Sequence, residues 1–344
     1  FKINSFNIES SQDDNLFIDT AFYLPENDPN NVVVFVSGTH GGEGHVGAAI
    51  QLSILDDWWD DLEKNNTAIL IIHGLNPWGY KNSRRVTENN VDLNRHFYRK
   101  DLSEIKNPLY GKFEDLLNPK EKLSMSYGNY LKFCANVMLN IFKVGKRDFR
   151  QGVIQGQYSY AKGLFYGGTE IEGPKNFMKK FLPEKLKGFS KIVAIDLHTG
   201  YGERGVLHLF PNDGASEEVK KAMGKLFPDE KIDFGNNEDF YTVYGDMVNF
   251  LNELVPAKSL YVPMVFEYGT LNSQTALGSL KSLYITVCEN QGYYYGYQNS
   301  KDEQKVKKEY QELFFPSSPD WQKKILVKSE EVIKKLFINL NQDL

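Results

Sequence analysis

Two side chains that can bind a metal ion, His40 and Glu43, follow directly on an apolar segment of the sequence. The His-x-x-Glu spacing lets both side chains reach one ion from a bent loop or from the first turn of a helix. Glycines on either side give the backbone room to bend and leave space for a substrate. The pair is a candidate metal site, and a glycine-rich turn with a solvated His and Glu is the alternative that so short a motif leaves open.

The segments around this loop have the patterns of a strand, a helix and a second strand. Residues 32–36 form an apolar, β-branched run typical of a buried strand, and residues 46–59 carry apolar side chains at helical spacing. Residues 67–75 form a second, almost continuously apolar run, as strands of parallel sheets do. We therefore predict a βαβ unit with a right-handed crossover, and ligands bind beyond the carboxyl ends of such strands.

Two further predicted strands also end in side chains that can do chemistry. Residues 191–197 lead into His198, and Asp196 points to the same side of the strand, where it could fix the tautomer of a histidine. Residues 259–266 lead into Glu267. A carboxylate at the end of a buried strand is rare unless it is paired or functional, so this glutamate is a candidate catalytic residue.

Separated motifs over about residues 32–270 resemble, in their order, those of the zinc carboxypeptidase superfamily, the carboxypeptidase A clan. This clan also holds the aspartoacylase and succinylglutamate desuccinylase branch, and some motif forms are similar to an uncharacterised bacterial carboxypeptidase-like branch. The motifs are His-Gly-Gly-Glu at 40–43, Asn-Pro-Trp-Gly at 76–79, Val-Asp-Leu-Asn-Arg-His-Phe at 91–97, Asp-Leu-His-Thr-Gly at 196–200 and Glu-Tyr-Gly-Thr at 267–270. The resemblance implies an α/β fold with a mixed, mostly parallel central sheet and helices on both faces.

The resemblance also implies a set of metal ligands and catalytic residues. One Zn²⁺ per chain would be held by three protein ligands, which are His40, Glu43 and His198, with the fourth position open. Glu267 would act as the general base, and Arg85 would stabilise the oxyanion that forms during the reaction. Arg84 is adjacent to Arg85 in the sequence and could take its place at the site.

The resemblance also assigns further residues to substrate recognition. Asn94 and Arg95 would clamp a carboxylate of the substrate, for which a guanidinium is suited because it donates two parallel hydrogen bonds. Residues 241–250 are similar to a segment that carries a mobile tyrosine in the clan; Tyr241 matches its position, and Tyr244 is the rival. The expected partner is therefore a peptide or an N-acyl amino acid with a free carboxylate.

Composition narrows the class of protein. The formal net charge of −5 gives no global electrostatic reason to expect binding to nucleic acid or to an anionic membrane surface. Two cysteines, Cys134 and Cys288, are too few for a disulfide framework and lack metal-binding spacing. No apolar run approaches the roughly 20 residues that a membrane span needs. We expect a cytoplasmic protein, although the chain begins at Phe1 and a leader could have been removed.

We expect residues 1–344 to form a single domain, with a helical and loop insertion at about residues 100–190 that covers the site. The predicted function is a zinc-dependent hydrolase that cleaves an amide bond next to a substrate carboxylate, foremost a metallocarboxypeptidase. An N-acyl amino acid deacylase of the aspartoacylase or desuccinylase type is the first alternative, because the insertion could form a lid over a closed cavity. A catalytically inactive carboxylate-binding module is the second.

Overall fold

A computed structural model describes residues 1–97, 106–211, 215–234 and 245–342 of the chain. The strands are β1 (Lys2–Asn7), β2 (Phe17–Tyr23), β3 (Asn31–Ser37), β4 (Thr67–His73), β5 (Lys191–Thr199), β6 (Leu207–Phe210) and β7 (Leu260–Tyr268). They form a seven-stranded sheet in the order β1-β2-β4-β3-β5-β7-β6. The central strands β4, β3, β5 and β7 are parallel, whereas β1, β2 and β6 pair antiparallel at the sides. The predicted mixed sheet with a parallel centre is confirmed.

Helices cover both faces of this sheet, as predicted. They are α1 (Gly44–Leu55), α2 (Pro77–Lys81), α3 (Leu93–His96), α4 (Pro108–Leu117), α5 (Tyr127–Val144), α6 (Lys146–Ile154), α7 (Gly173–Lys185), α8 (Glu217–Leu226), α9 (Met247–Leu251), α10 (Ala276–Tyr295), α11 (Ser300–Phe314) and α12 (Pro319–Leu340). Because side chains alternate along a strand, Val33 and Phe35 of β3 pack with α1, α8 and α12. Val34 and Val36 pack on the other face with α7 and α9.

The helices α4, α5 and α6 form a third apolar cluster beside the sheet. Tyr110, Phe133 and Phe149 of these helices pack with one another and with Tyr284 and Val287 of α10. The helical pattern in the middle of the chain therefore belongs to a unit that packs on α10, and the single-domain organisation itself stays a prediction. Helix α6 was not predicted; it follows α5 after one residue, Gly145, at φ +89°.

Short helices near the site differ from the sequence prediction. The run at residues 46–59 was predicted as one helix, but α1 begins at Gly44 and ends at Leu55. Helices α2 and α3 stand where a turn or no element was predicted, and each is begun by a polar side chain. Asn76 accepts a hydrogen bond from the Gly79 backbone N–H, and Asp92 accepts one from the Asn94 N–H. Such caps satisfy donors that a first helical turn leaves unpaired, so periodicity alone could not predict these helices.

Candidate metal centre

The candidate site lies beyond the carboxyl ends of β3, β5 and β7. Adjacent strands are in parallel register here: Ser37 of β3 lies beside Leu197 of β5, and His198 of β5 lies beside Glu267 of β7. The loop after β3 then supplies His40 to the same edge of the sheet. Parallel strands thus bring to one place side chains that are far apart in the sequence, as expected of an open α/β sheet.

His40, Glu43 and His198 form one buried cluster. Nδ1 of His40 lies 2.9 Å from Oε1 of Glu43, and Nδ1 of His198 lies 2.8 Å from Oε2. One potential ligand atom from each of the three residues lies within 4.8 Å of the others. The backbone N–H of Thr199 donates to Glu43 Oε2 at 2.9 Å and orients the carboxylate. The three predicted ligands are therefore brought together with both Nδ1 atoms turned inward.

The outer nitrogens of both histidines are held by aspartates. Nε2 of His40 lies 3.0 Å from Oδ1 of Asp92, and Nε2 of His198 lies 2.6 Å from Oδ2 of Asp196. The hydroxyl of Thr39 donates to the second oxygen of Asp196 at 2.8 Å. A carboxylate that accepts the Nε2–H leaves the Nδ1 lone pair free to bind a metal, and it fixes the ring. Asp196 was expected in this role; Asp92 was not singled out, although it lies in the Val-Asp-Leu-Asn-Arg segment.

The charges of the cluster suit a divalent cation. Glu43, Asp92 and Asp196 are all almost completely buried, and burial by itself would raise the pKa of a carboxyl group. Histidines and Arg85 instead lower the pKa values of Glu43 and Asp92 well below their usual range. Burial disfavours the imidazolium of His198, but Asp196 and Glu43 raise its pKa well above the usual value. A positive charge therefore stabilises this cluster, and the two imidazoles and the carboxylate form a donor set that suits Zn²⁺.

The loop that carries His40 and Glu43 packs tightly on α2. A Cβ atom at Gly41 would lie 1.9 Å from the backbone of Gly79, so this position accepts only glycine. Gly38 has φ +71° at the end of β3, where the chain leaves the sheet. These two glycines therefore allow the bend that turns the ligands toward β5.

The adjacent arginines Arg84 and Arg85 point to different places. Arg85 Nε donates to Asp92 Oδ2 at 2.9 Å, its Nη1 lies 3.4 Å from Glu43 Oε1, and the side chain lines the cavity. Arg84 instead donates from Nε to Glu289 at 2.7 Å, and its guanidinium lies 3.7 Å from the ring centre of Tyr293. The structure places Arg84 outside the cavity, which corrects the expectation that it could replace Arg85.

Asn94 and Arg95 both line the cavity, in different ways. Asn94 Nδ2 lies 3.1 Å from His198 Nε2, and its Oδ1 accepts the N–H of Met247 at 3.0 Å. Arg95 donates from Nε and Nη2 to the carbonyl of Ile154 at 2.9 and 2.7 Å, and from Nη1 to the Asn94 carbonyl. Arg95 therefore ties the end of α6 to the site, a contact that sequence reasoning missed.

Glu267 lies next to the histidine cluster on β7. Its Oε1 accepts the backbone N–H of Tyr201 at 2.9 Å. Burial and the negative charge of Glu43 raise the pKa of Glu267 to about 8, although His198 and Arg85 lower it. A carboxyl group with its pKa near neutral pH can both accept and donate a proton there.

A cavity of about 320 Å³ opens over these side chains. It is lined by His40, Glu43, Arg85, Asn94, Arg95, His198 and Glu267, together with side chains of several other elements, among them Arg150, Ile154, Phe165, Asp246, Asn249, Ser273, Ser282, Thr286 and Phe314. The α6 residues Arg150 and Ile154 show that the middle of the chain contributes to the wall. Tyr241 and Tyr244, the two candidates for a mobile tyrosine, lie outside the described residues.

Comparison with known proteins gives the family. A family model described as "Protein of unknown function (DUF2817)" matches residues 1–328 of the chain. The chain belongs to this family. In this DUF2817 chain, the matched range includes all the strands of the sheet and every cavity-lining residue named above. No curated protein matches the chain.

Solved structures similar to this DUF2817 chain include carboxypeptidase-related and desuccinylase-related proteins. The bovine thrombin-activatable fibrinolysis inhibitor in complex with tick carboxypeptidase inhibitor is 13% identical, with a TM-score of 0.43 over 85% of this chain and 90% of that chain. Carboxypeptidase A from Helicoverpa armigera is 12% identical, with a TM-score of 0.44 over 90% and 68%. Succinylglutamate desuccinylase/aspartoacylase from Rhodobacter sphaeroides is 9% identical, with a TM-score of 0.40 over 86% and 65%.

Proposed function

We propose that this protein is a zinc-dependent hydrolase that cleaves an amide bond next to a carboxylate of its substrate, foremost a metallocarboxypeptidase. One observation carries the proposal: the Nδ1 atoms of His40 and His198 converge on the two oxygens of Glu43, while aspartates hold both Nε2 atoms. Two histidines and one glutamate with an open fourth position are the ligand set of hydrolytic zinc sites.

Each remaining side chain has a chemical task in this proposal. A Zn²⁺ held by the three ligands would act as a Lewis acid and lower the pKa of a water molecule at the open position. Glu267 accepts the proton of the attacking water and returns it to the nitrogen of the leaving amine. The guanidinium of Arg85, which is already oriented by Asp92, donates hydrogen bonds to the carbonyl oxygen as it becomes negative.

The substrate carboxylate is proposed to bind at the wall formed by Asn94 and Arg95. Arg95 donates to two backbone carbonyls in the structure, so it would exchange one of these bonds for a bond to the carboxylate. Such an exchange is favourable because a hydrogen bond between two charged groups is stronger than one to a neutral carbonyl. We therefore expect Arg95→Lys to raise KM more than it lowers kcat.

Deacylation of N-acyl amino acids is the second candidate function, and the cavity wall is the observation that favours it. At about 320 Å³ the cavity is near the lower end of the range for ligand pockets, roughly 300–1,000 Å³. A cavity of this size suits a small acyl amino acid, whereas a peptide would extend beyond it. Arg150, Ile154 and Phe165 from the middle of the chain narrow the cavity on one side.

Turnover of two substrate panels by the zinc-supplied protein tests the proposal. One panel holds N-blocked dipeptides with different last residues; the other holds N-acetyl-aspartate, N-succinyl-glutamate and related acyl amino acids. We expect hydrolysis within one panel, and a loss of kcat of about 10²–10⁴-fold in Glu267→Gln with zinc still bound. Glu303→Gln on α11, a half-buried glutamate that pairs with Lys307 and does not line the cavity, is the matched control and should leave kcat unchanged.

Two results would contradict this proposal. A Glu267→Gln variant with full activity would remove the proposed general base. If both panels are untouched while zinc is bound and simple carboxylates bind in the cavity, the protein is a carboxylate-binding module that does not catalyse hydrolysis.

A further inference from the structure

Helix α5 carries an apolar stripe that faces solvent. Tyr127, Leu131, Met138 and Phe142 follow one another at spacings of four, seven and four residues, which places them on one side of a helix. Tyr127 is 74% and Phe142 90% exposed. We call these four side chains the α5 stripe. The opposite side of the helix, which includes Phe133, packs into the third apolar cluster. The helix is thus apolar on two sides, and the described residues cover one of them.

The charged side chains of the α5 segment itself are all positive. From Lys122 to Arg147 the sequence holds five lysines and arginines and no aspartate or glutamate, although the whole chain has a net charge of −5. At 100° per residue, Lys132 and Lys143 lie on one flank of the stripe, about 80° and 100° around the helix from Phe142, and both are exposed. Charges more than about 10 Å away are largely screened at physiological salt, so a partner at α5 meets this local positive charge.

We propose that the α5 stripe binds the surface of a membrane that contains anionic lipids. An apolar helix face flanked by lysines is suited to lie in the plane of the membrane interface, with its apolar side chains among the acyl chains. The lysine stems can follow the apolar surface while the ammonium groups contact anionic headgroups. The helix offers 18 residues, or about 27 Å, for this contact. Among the parts of the chain that the structure describes, no helix has the length and apolar character of a membrane span.

A second copy of this chain fits the α5 stripe less well. Antiparallel pairing of two α5 helices about their midpoints would place Lys132 of one copy opposite residue 139 of the other, about one helical turn from that copy's Lys143. The segment offers no acidic side chain to separate these like charges, which destabilise a helix pair. An anionic surface instead meets both lysines with opposite charge, and this complementarity decides between the two occupants.

Binding at α5 would also orient the cavity. Helix α5 packs against α6 through the third apolar cluster, and α6 supplies Arg150 and Ile154 to the cavity wall. A protein bound through the α5 stripe would therefore hold this wall of the cavity close to the lipid surface. The inference does not depend on the proposed hydrolysis, because it rests on the exposed side chains and charges of α5.

Co-sedimentation of the full chain with vesicles tests the inference. We expect binding to vesicles of phosphatidylcholine with phosphatidylglycerol, weaker binding at high salt, and little binding to phosphatidylcholine alone. The double variant Leu131→Ser, Phe142→Ser should bind at least about tenfold more weakly because apolar insertion is lost.

The double variant Lys132→Gln, Lys143→Gln should bind about thirtyfold more weakly, since each cation near the surface contributes a factor of about five. Leu277→Ser on α10, which removes a side chain that is 75% exposed, is the matched control and should bind like the wild type.

Each other outcome would overturn the inference. The inference is wrong if the wild-type protein does not bind anionic vesicles. It is also wrong if the Leu131→Ser, Phe142→Ser variant binds as well as the wild type while its circular dichroism spectrum and melting temperature are unchanged. A dimer in light scattering that this variant abolishes, without vesicle binding, would assign the stripe to a second copy of the chain.

Discussion

The metal centre and the α5 stripe are opposite arrangements within one chain. At the centre, charged side chains are buried and hydrogen-bonded: Glu43, Asp92 and Asp196 contact histidines, an arginine or backbone N–H groups. On α5, large apolar side chains such as Phe142 are exposed to solvent. Burying charge and exposing apolar surface both cost free energy, so neither arrangement is explained by stability. We propose that each serves a ligand, a divalent cation in one region and a lipid surface in the other.

Replacing the two adjacent arginines one at a time should give the largest contrast between function and stability. We expect Arg85→Gln to lower kcat by about 10²–10³-fold, because a donor to the oxyanion is lost. Arg84→Gln should leave kcat near the wild-type value and lower the free energy of unfolding, since Glu289 loses its partner. Steady-state kinetics and urea unfolding of both variants measure this. The assignment fails if Arg84→Gln has the larger effect on kcat.

The pH dependence of stability of the metal-free protein tests the burial of Glu267. The raised pKa, about 8 against an ordinary 4.5, means that the folded state favours the neutral carboxyl group. The stability that this group contributes is present below pH 4.5 and is lost as the pH rises through 8. Glu267→Gln keeps a neutral side chain, so its advantage in the free energy of unfolding, measured by urea titration, should grow from pH 5 to pH 8, toward a few kcal/mol. A difference that does not change with pH would contradict the raised pKa.

Substitution of Asp92, the aspartate that contacts His40, should lower the affinity for zinc by a smaller factor than the substitutions above change their readouts. Asp92→Asn keeps the size of the side chain and removes the charge that accepts the Nε2–H of His40. We expect its zinc affinity to fall by about 10–100-fold, as measured by competition with a chelator. An Asp92→Asn variant with wild-type affinity would show that the negative charge of Asp92 has no part in binding the metal.

The smallest effect is expected on the exposed side of α5. Phe142→Ser removes a side chain that is 90% exposed and touches little of the described protein. Its free energy of unfolding should stay within about 0.5 kcal/mol of the wild type, and hydrolysis of a soluble substrate should be unchanged. A large loss of stability in thermal unfolding would mean that the side chain is buried in solution.

Much of the fold and of the metal centre could be predicted from the sequence because apolar runs mark the parallel strands. Strands β3, β4, β5 and β7 were predicted within two residues of their bounds, and three of them precede the residues of the candidate site. Buried parallel strands leave a continuous apolar signal that needs no knowledge of tertiary contacts. His40, Glu43 and His198 could then be proposed together because the ends of adjacent parallel strands meet.

Contacts between distant parts of the chain could not be predicted. Asp92 bonds to a histidine 52 positions away, and Arg95 bonds to a carbonyl 59 positions away on a helix with few apolar residues. The different directions of Arg84 and Arg85 depend on Glu289, more than 200 positions away. None of these pairings leaves a pattern in the local sequence.

The metal content of the purified protein tests the central claim most directly. We expect about one zinc per chain by plasma emission, lost in Glu43→Ala and retained in the control variant Glu303→Gln. Such a result would leave the substrate as the open question about the site. If the wild-type protein holds no transition metal, even after zinc is supplied, the buried cluster of His40, Glu43 and His198 is a hydrogen-bonded structural element and the proposed hydrolase is wrong.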